Sequence, residues 1–444
     1  MFRYKNYQIY FLILGLLLIL RSYHSFFNLS IGEHDWTFLS IGRSLFNGNL
    51  PYLEEWVLRG PFSFTFYAGA FFFKNYIFAL KTFGIISVWI SCIALFQISK
   101  KLYGYKASLF SSFGLAIAAS SEESFLTSEV ELFILPFISF FVYFAFENLT
   151  KPSKYNIIFA GIMISLATLM RPYLGVIAIL GVLIFLYSEK NKLLNIFLYV
   201  ISGLAPLLVL IILYSKNSNG LEVLWSSTIS AHLAYPGGRP FLIGFFLFLD
   251  GFTLKQWYPV FILSLIVPFI NKKISKESFF ILFLLIVIIF LFLLTRKFSN
   301  YYILVALPLM FVIVSSFFNK NNNVSNKILI SFIILSCLGP LINNFSEQIK
   351  LKYRPINKQI ILYNHLKDII KEDETIFSFD NGLYILLNKE LPTKISHPSD
   401  LFRNYMLRAY FDDPNYNSEL ELNKIINKKP NYIIMLSIWS PKLP

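Results

Sequence analysis

Cysteine is nearly absent, with Cys92 and Cys337 the two in 444 residues, both inside apolar runs and far apart in sequence. That placement argues against a disulfide framework and against a cysteine metal site. The five histidines, His24, His34, His232, His365 and His397, are scattered. Glu33, His34 and Asp35 are adjacent in an irregular segment, a spacing that rarely converges on one ion. No metal and no cofactor is therefore expected. A Gly-rich phosphate cradle and a Walker pattern are missing too, which removes support for nucleotide hydrolysis. No repeat of solenoid period and no low-complexity linker interrupts the chain, although Asn319 to Asn326 is a polar, asparagine-rich stretch.

Apolar residues dominate, at 56% of the chain, and the mean hydropathy is +0.60. Many runs approach the roughly 20 residues that a bilayer-spanning helix needs. Inside hydrocarbon every backbone donor and acceptor must be satisfied internally, so these runs read as helices. The expected fold class is an α-helical polytopic membrane protein of about eleven transmembrane helices. The expected spans are Tyr7 to Phe27, Ile77 to Ser99, Ala107 to Ala119, Val130 to Phe146, Ile157 to Met170 and Tyr173 to Tyr187. They continue with Leu194 to Tyr214, Tyr258 to Ile270, Phe279 to Leu294, Tyr301 to Phe318 and Ile328 to Ile342. The first segment has no small-residue cleavage site before Arg21 and reads as an uncleaved span.

Basic residues mark every second loop: Arg3 and Lys5, Lys100, Lys101 and Lys106, Lys151 and Lys154, Lys190 and Lys192, Lys272, Lys273 and Lys276, then Lys320 and Lys327. The positive-inside bias makes these loops cytoplasmic. The net charge of +14 then follows from topology, and no nucleic-acid partner is expected. Residues 1–342 are expected to form the membrane domain, with a catalytic first outer loop at 28–76, and 343–444 a small extracytoplasmic α/β domain. In that tail Asn357 to Lys371 and Leu420 to Asn427 read as helices, and Thr375 to Phe379 and Asn431 to Met435 as strands.

The first outer loop, IGEHDWTFLSIGRSLFNGNLPYLEEWVLRGPFSF, carries the acids that stand out. Thr37, Ser40, Ser44 and Asn47 form one stripe, and Phe38, Ile41, Gly42 and Leu45 another, which predicts an amphipathic helix on the membrane surface. Gly48 and Asn49 end it, before a turn at Leu50-Pro51-Tyr52. Asp35 sits at the helix start. It reads either as an N-cap or as a general base, with Glu33 a rival or an acceptor-positioning neighbour.

These features resemble the GT-C membrane glycosyltransferases, in the branch of protein mannosyltransferases, aminoarabinose transferases and rhizobial lipopolysaccharide transferases. The resemblance rests on the acidic loop start, FNGNLPY, EEWVLRGP, LTSEVELF, LMRPYLG, RKFSNYYILVALPL and KPNYIIML, in that order. It implies transfer of a sugar from a polyprenyl-phosphate carrier to an acceptor hydroxyl on a lipid, glycan or protein at the outer face. It matches Asp35 to the family's catalytic aspartate and Glu129 to its second-loop acid. Trp36 departs from the pattern, standing where a second acid often follows. The resemblance also places carrier-phosphate contacts near Arg296, Lys297 and Tyr302.

The chemistry is coherent by itself, because a phosphate leaving group needs charge stabilisation more than an acid. One base removes the acceptor proton as the anomeric carbon is attacked, which predicts inversion. Cations that break the inside bias, Arg59, Arg171, Arg239, Arg296 and Lys297, are candidates to hold the phosphate, guanidinium pairing two oxygens at once. The bland reading is that they snorkel to headgroups. Glu122, Glu123, Glu129 and Glu131 cluster in the second outer loop, where Glu129 is expected to hold the acceptor or orient an arginine. Two rival readings are a flippase for lipid-linked sugars and a surface-polysaccharide polymerase or ligase. The abundance of Lys, Asn, Ile and Phe matches an AT-rich bacterial genome, which makes the membrane the inner one and the outside the periplasm.

Overall fold

The computed structural model describes residues 2–22, 31–121, 129–186, 191–234, 258–270, 276–294, 300–318, 326–353, 358–397 and 400–434. The chain divides into two compact units. One collects 1–28, 81–209 and 239–352; the other collects 29–80, 210–238 and 353–444.

The first unit is built of apolar helices. Among the described residues three are long and apolar enough to cross a membrane by themselves: Tyr76–Leu102, Val130–Thr150 and Lys192–Tyr214. Shorter apolar helices include Lys154–Met170, Gly175–Leu186, Tyr258–Ile270 and Lys276–Leu294. Small residues let these helices approach closely, as expected where lipid removes the hydrophobic drive for association. A Cβ on Gly161 would meet the Tyr199 carbonyl oxygen at 2.5 Å, and one on Gly114 would meet the Phe311 ring at 2.4 Å. Val130–Thr150 and Lys154–Met170 form a hairpin whose corner is tied by the Ser153 N–H donating to Asn148 Oδ1 at 3.0 Å.

Polar side chains close the helix ends. The Arg21 guanidinium donates to the Ala119 carbonyl at 2.9 Å and Asn344 Nδ2 to the Leu20 carbonyl at 3.0 Å. Carbonyls in the last turn of a helix have no partner within it, so these bonds satisfy groups that hydrocarbon leaves stranded. The run expected as one span over Tyr301 to Phe318 is broken, with 3-10 turns at Asn300–Val305 and Ser316–Phe318 flanking the helix Leu307–Ser315. Pro308 explains the first break: it has no N–H to continue a helix from upstream, yet suits the first turn of a new one. The last helix of this unit, Asn326–Tyr353, runs on past Ile342.

The second unit joins the segments 29–80 and 210–238 to the C-terminal segment. Strands β1 (Ile376–Ser378) and β2 (Tyr432–Ile434) pair in parallel, with Ile376 opposite Tyr432 and Ser378 opposite Ile434. Both lie inside the runs expected to be extended. Helices Lys358–Leu366 and Ser418–Asn427 fall in the two expected helical runs. Ile370, Ile376, Leu383 and Tyr384 form the core beside them. The loop segment at Trp56 bridges to Ile395 as a short parallel pair, the Ser396 N–H donating to the Trp56 carbonyl at 2.9 Å. The Trp56 indole stacks on Tyr410 with centroids 4.6 Å apart.

Candidate active site

Asp35 lies in the helix Glu33–Phe46, where Gly32 is the N-cap. Asp35 is therefore the third helical residue and not the cap itself. Its Oδ2 reaches back to accept the Gly32 N–H at 3.2 Å, half of a capping box, since glycine has no side chain to complete the other half. Its Oδ1 accepts from the Tyr67 hydroxyl at 3.3 Å, and the carboxylate is fully buried. The side chain that bonds the N-cap backbone is thus also the candidate base.

Tyr67 reaches Asp35 because of how two helices pack. Asp35, Phe38 and Gly42 recur at intervals of three and four and share a face. The helix Phe64–Ala70 lies along that face. A Cβ on Gly42 would sit 2.6 Å from Tyr67 Cβ and 2.8 Å from its carbonyl carbon, so only glycine permits this approach. Phe38 then meets the Tyr67 ring edge-on with centroids 5.3 Å apart.

Part of the polar stripe of the same helix is enclosed by protein, while Asn47 at its far end is exposed. Thr37 and Ser40 are fully buried. Thr37 Oγ1 accepts from Asn381 Nδ2 at 2.7 Å, and the Ser40 hydroxyl donates to Glu55 Oε2 at 2.7 Å. Burial pushes the Glu55 carboxyl upward, while the Ser40 hydrogen bond and the Arg43 charge oppose that shift. Thr37 thus faces a partner 344 positions away, and Ser40 one 15 positions away.

Arg59 is buried with its guanidinium 5.2 Å from the centre of the Phe38 ring, one helical turn from Asp35. His34 meets His397 edge-on, centroids 4.9 Å apart. Burial pushes His397 down to about 4, and the charges of His34, Arg59 and Arg403 act in the same direction against the pull of Asp400. Glu33 is the first helical residue, and its side chain lies outside the described part.

Glu129, Glu131 and Arg171 belong to the first unit. Glu129 is the N-cap residue of Val130–Thr150 and is nearly buried. Glu131, two residues along, pairs with Arg171, and both side chains are fully buried. Arg171 is placed by the end of Lys154–Met170, where Pro172 forces the chain into a 3-10 turn. Tyr302 sits in the 3-10 turn Asn300–Val305 with its side chain outside the described part. Arg296, Lys297, Arg239, Glu122 and Glu123 lie outside the described residues altogether. Among the described residues no group of three or more His, Cys, Asp or Glu is arranged to hold a metal ion.

Two residues of this geometry were not singled out by sequence reasoning. Tyr67 stands in the apolar run FTFYAGA, and its only signal is Gly42 interrupting the apolar stripe that it packs on. Glu131 was one acid among four, and nothing in their spacing selects it as the partner of Arg171.

A family model described as dolichyl-phosphate-mannose-protein mannosyltransferase matches residues 61–214, which include Glu129, Glu131 and Arg171 but not Asp35. Among solved structures, ArnT from Cupriavidus metallidurans bound to undecaprenyl phosphate aligns with a TM-score of 0.65 at 11% identity, covering 98% of this chain and 94% of that one. The chain has the GT-C fold. The apo state of the same ArnT aligns at 0.61 and 12% identity, over 86% of this chain and 84% of that one. The Archaeoglobus fulgidus oligosaccharyltransferase in complex with Zn and sulfate aligns at 0.53 and 11% identity, over 95% of this chain and 67% of that one. No curated protein sequence matches significantly. The expected GT-C resemblance therefore holds for a helical membrane protein whose fold is shared with ArnT along nearly its whole length.

Proposed function

We propose that this GT-C protein is a membrane glycosyltransferase that moves a sugar from a polyprenyl-phosphate donor to an acceptor hydroxyl on a lipid, glycan or protein. The observation that carries the reading is Asp35, a buried carboxylate oriented by Tyr67 and Gly32, in a chain whose fold matches an enzyme solved with undecaprenyl phosphate. The chain crosses the membrane about eleven times, with the first outer loop and 343–444 on the periplasmic face of the inner membrane.

In the reaction Asp35 takes the proton from the acceptor hydroxyl as its oxygen attacks the anomeric carbon. The bond from that carbon to the phosphate oxygen breaks, its electron pair leaves with the polyprenyl phosphate, and the configuration inverts. The leaving phosphate gains a negative charge that Arg296, Lys297, Arg171 and Arg59 stabilise, with Tyr302 donating a hydrogen bond. A guanidinium has five donors, so pairing of Arg171 with Glu131 is compatible with a grip on phosphate. Glu131 orients Arg171, and Glu129 holds the acceptor or helps orient an arginine. Glu33 tunes the field beside the base.

The test is Asp35→Asn in membranes where insertion is verified, with transfer followed from a radiolabelled polyprenyl-phosphate sugar. Transfer is expected to fall by at least about a hundredfold. Wild-type transfer by this variant, with Glu33→Gln inactive, would move the base to Glu33, and full activity of both refutes an acid in this loop.

A further inference from the structure

The helix that carries Asp35 is held from its opposite side by the C-terminal segment. Trp36 Nε1 donates to Gln359 Oε1 at 2.7 Å, and Gln359 Nε2 in turn donates to Asp380 Oδ1 at 3.2 Å. Asp380 is itself fixed: it caps the helix Asn381–Leu386 by accepting the Gly382 N–H at 2.8 Å, and its own N–H donates to the Ser378 hydroxyl at 3.0 Å at the end of β1. One residue on, Asn381 Nδ2 donates to Thr37 Oγ1 at 2.7 Å.

The Trp36 ring fills a slot against Gly382. A Cβ there would lie 3.1 Å from two atoms of the indole and 3.0 Å from Asp380 Oδ1, so the slot is shaped for this ring and closed to a larger residue. Two turns along the helix Arg43 donates to the Lys389 carbonyl at 2.7 Å. Trp36 and Thr37 are the two residues that follow Asp35. Fixing both, and Arg43 beyond them, sets the rotation of the helix about its axis, and that rotation determines where the Asp35 carboxylate points.

We propose that Gln359 and Asn381 are positioning residues, which hold Asp35 in register for proton abstraction through Trp36 and Thr37. The proposal rests on the reading of Asp35 as the base. It gives the C-terminal segment a part in the chemistry, over 300 residues away in sequence, through the indole donor of Trp36.

Removing one partner of a buried polar bond leaves the other unsatisfied, and displacements on the order of 1 Å at a catalytic group cost about a hundredfold in rate. Trp36→Phe keeps a ring in the slot and removes the donor; Gln359→Ala removes the acceptor. Each is expected to lower kcat by about tenfold or more with the donor KM unchanged, and the double variant is expected to be no slower than the worse single one. Hydrogen exchange at the Trp36 indole N–H, read by NMR in detergent, is expected to accelerate in Gln359→Ala whether or not transfer is measured. Additive losses, unchanged exchange, or wild-type kcat in Gln359→Ala beside an inactive Asp35→Asn would overturn the clamp. A fully active Asp35→Asn overturns the base reading instead. If Gln359→Ala does not accumulate in membranes, Trp36→Phe and Asn381→Ser carry the same kinetic test.

Discussion

Gly42→Ala is the sharpest perturbation of the Asp35 geometry, because it adds one methyl group and removes no polar atom. The new Cβ would stand 2.6 Å from Tyr67 Cβ, 2.8 Å from the Tyr67 carbonyl carbon and 2.9 Å from the Ala68 nitrogen. Two of these are backbone atoms and the third is a Cβ, so no side-chain rotation relieves the overlap; the helix Phe64–Ala70 must move. Ordinary carbon contacts begin near about 3.5 Å, so the required shift is roughly 0.9 Å. Overpacking of this kind costs about 1–3 kcal/mol. The Tyr67 to Asp35 hydrogen bond is already long at 3.3 Å, and an added shift of that size carries it to about 4 Å, beyond hydrogen-bond range. Stability measured by thermal unfolding in detergent is therefore expected to drop, and sugar transfer to fall by about tenfold to a hundredfold. The control is Gly15→Ala in the helix Phe2–Ser22, where a Cβ meets nothing within 4 Å and alanine is expected to stabilise by up to about 1 kcal/mol. Wild-type melting and wild-type transfer in Gly42→Ala would refute the claim that this close approach sets Tyr67 on Asp35.

Two further outcomes test other parts of the structure. Glu131→Leu removes one half of the buried Arg171–Glu131 pair and is expected to destabilise the protein by about 3–5 kcal/mol, whereas adding Arg171→Met in the same chain is expected to restore most of it; chemical unfolding of the three variants reads the coupling, and additive losses would argue against the pair. His397 is held at about 4 by burial against an ordinary value of 6.5. Its folded-state value is depressed, so below pH 6.5 the unfolded chain takes up a proton that the folded chain refuses. Stability is then lost as pH falls from about 6.5 to about 4, by up to roughly 3 kcal/mol, and no further below that. His397→Asn is expected to flatten unfolding against pH over this interval, and an unchanged slope would place the titration elsewhere.

Much of the helical framework was legible because it rests on local rules. Run length and apolar content place helices at Tyr76–Leu102, Val130–Thr150 and Lys192–Tyr214 within a few residues of expectation, since in lipid a helix must satisfy its own backbone. Alternation and turn residues likewise locate β1 and β2. The break before Pro308 was readable in principle, because proline's missing N–H is a local fact.

Sequence by itself therefore determined the membrane-type helices, the acidic loop and the candidacy of Asp35, for each depends on residues within one or two helical turns. Only the tertiary structure decided that Tyr67 meets Asp35, that Glu131 pairs with Arg171, and that Thr37 and Ser40 face protein. Those choices depend on which distant surfaces close upon one another, with Trp36 and Gln359 lying 323 positions apart. A pattern of hydrophobicity encodes which face of a helix is covered, but the identity of the covering group emerges only when packing brings the two together.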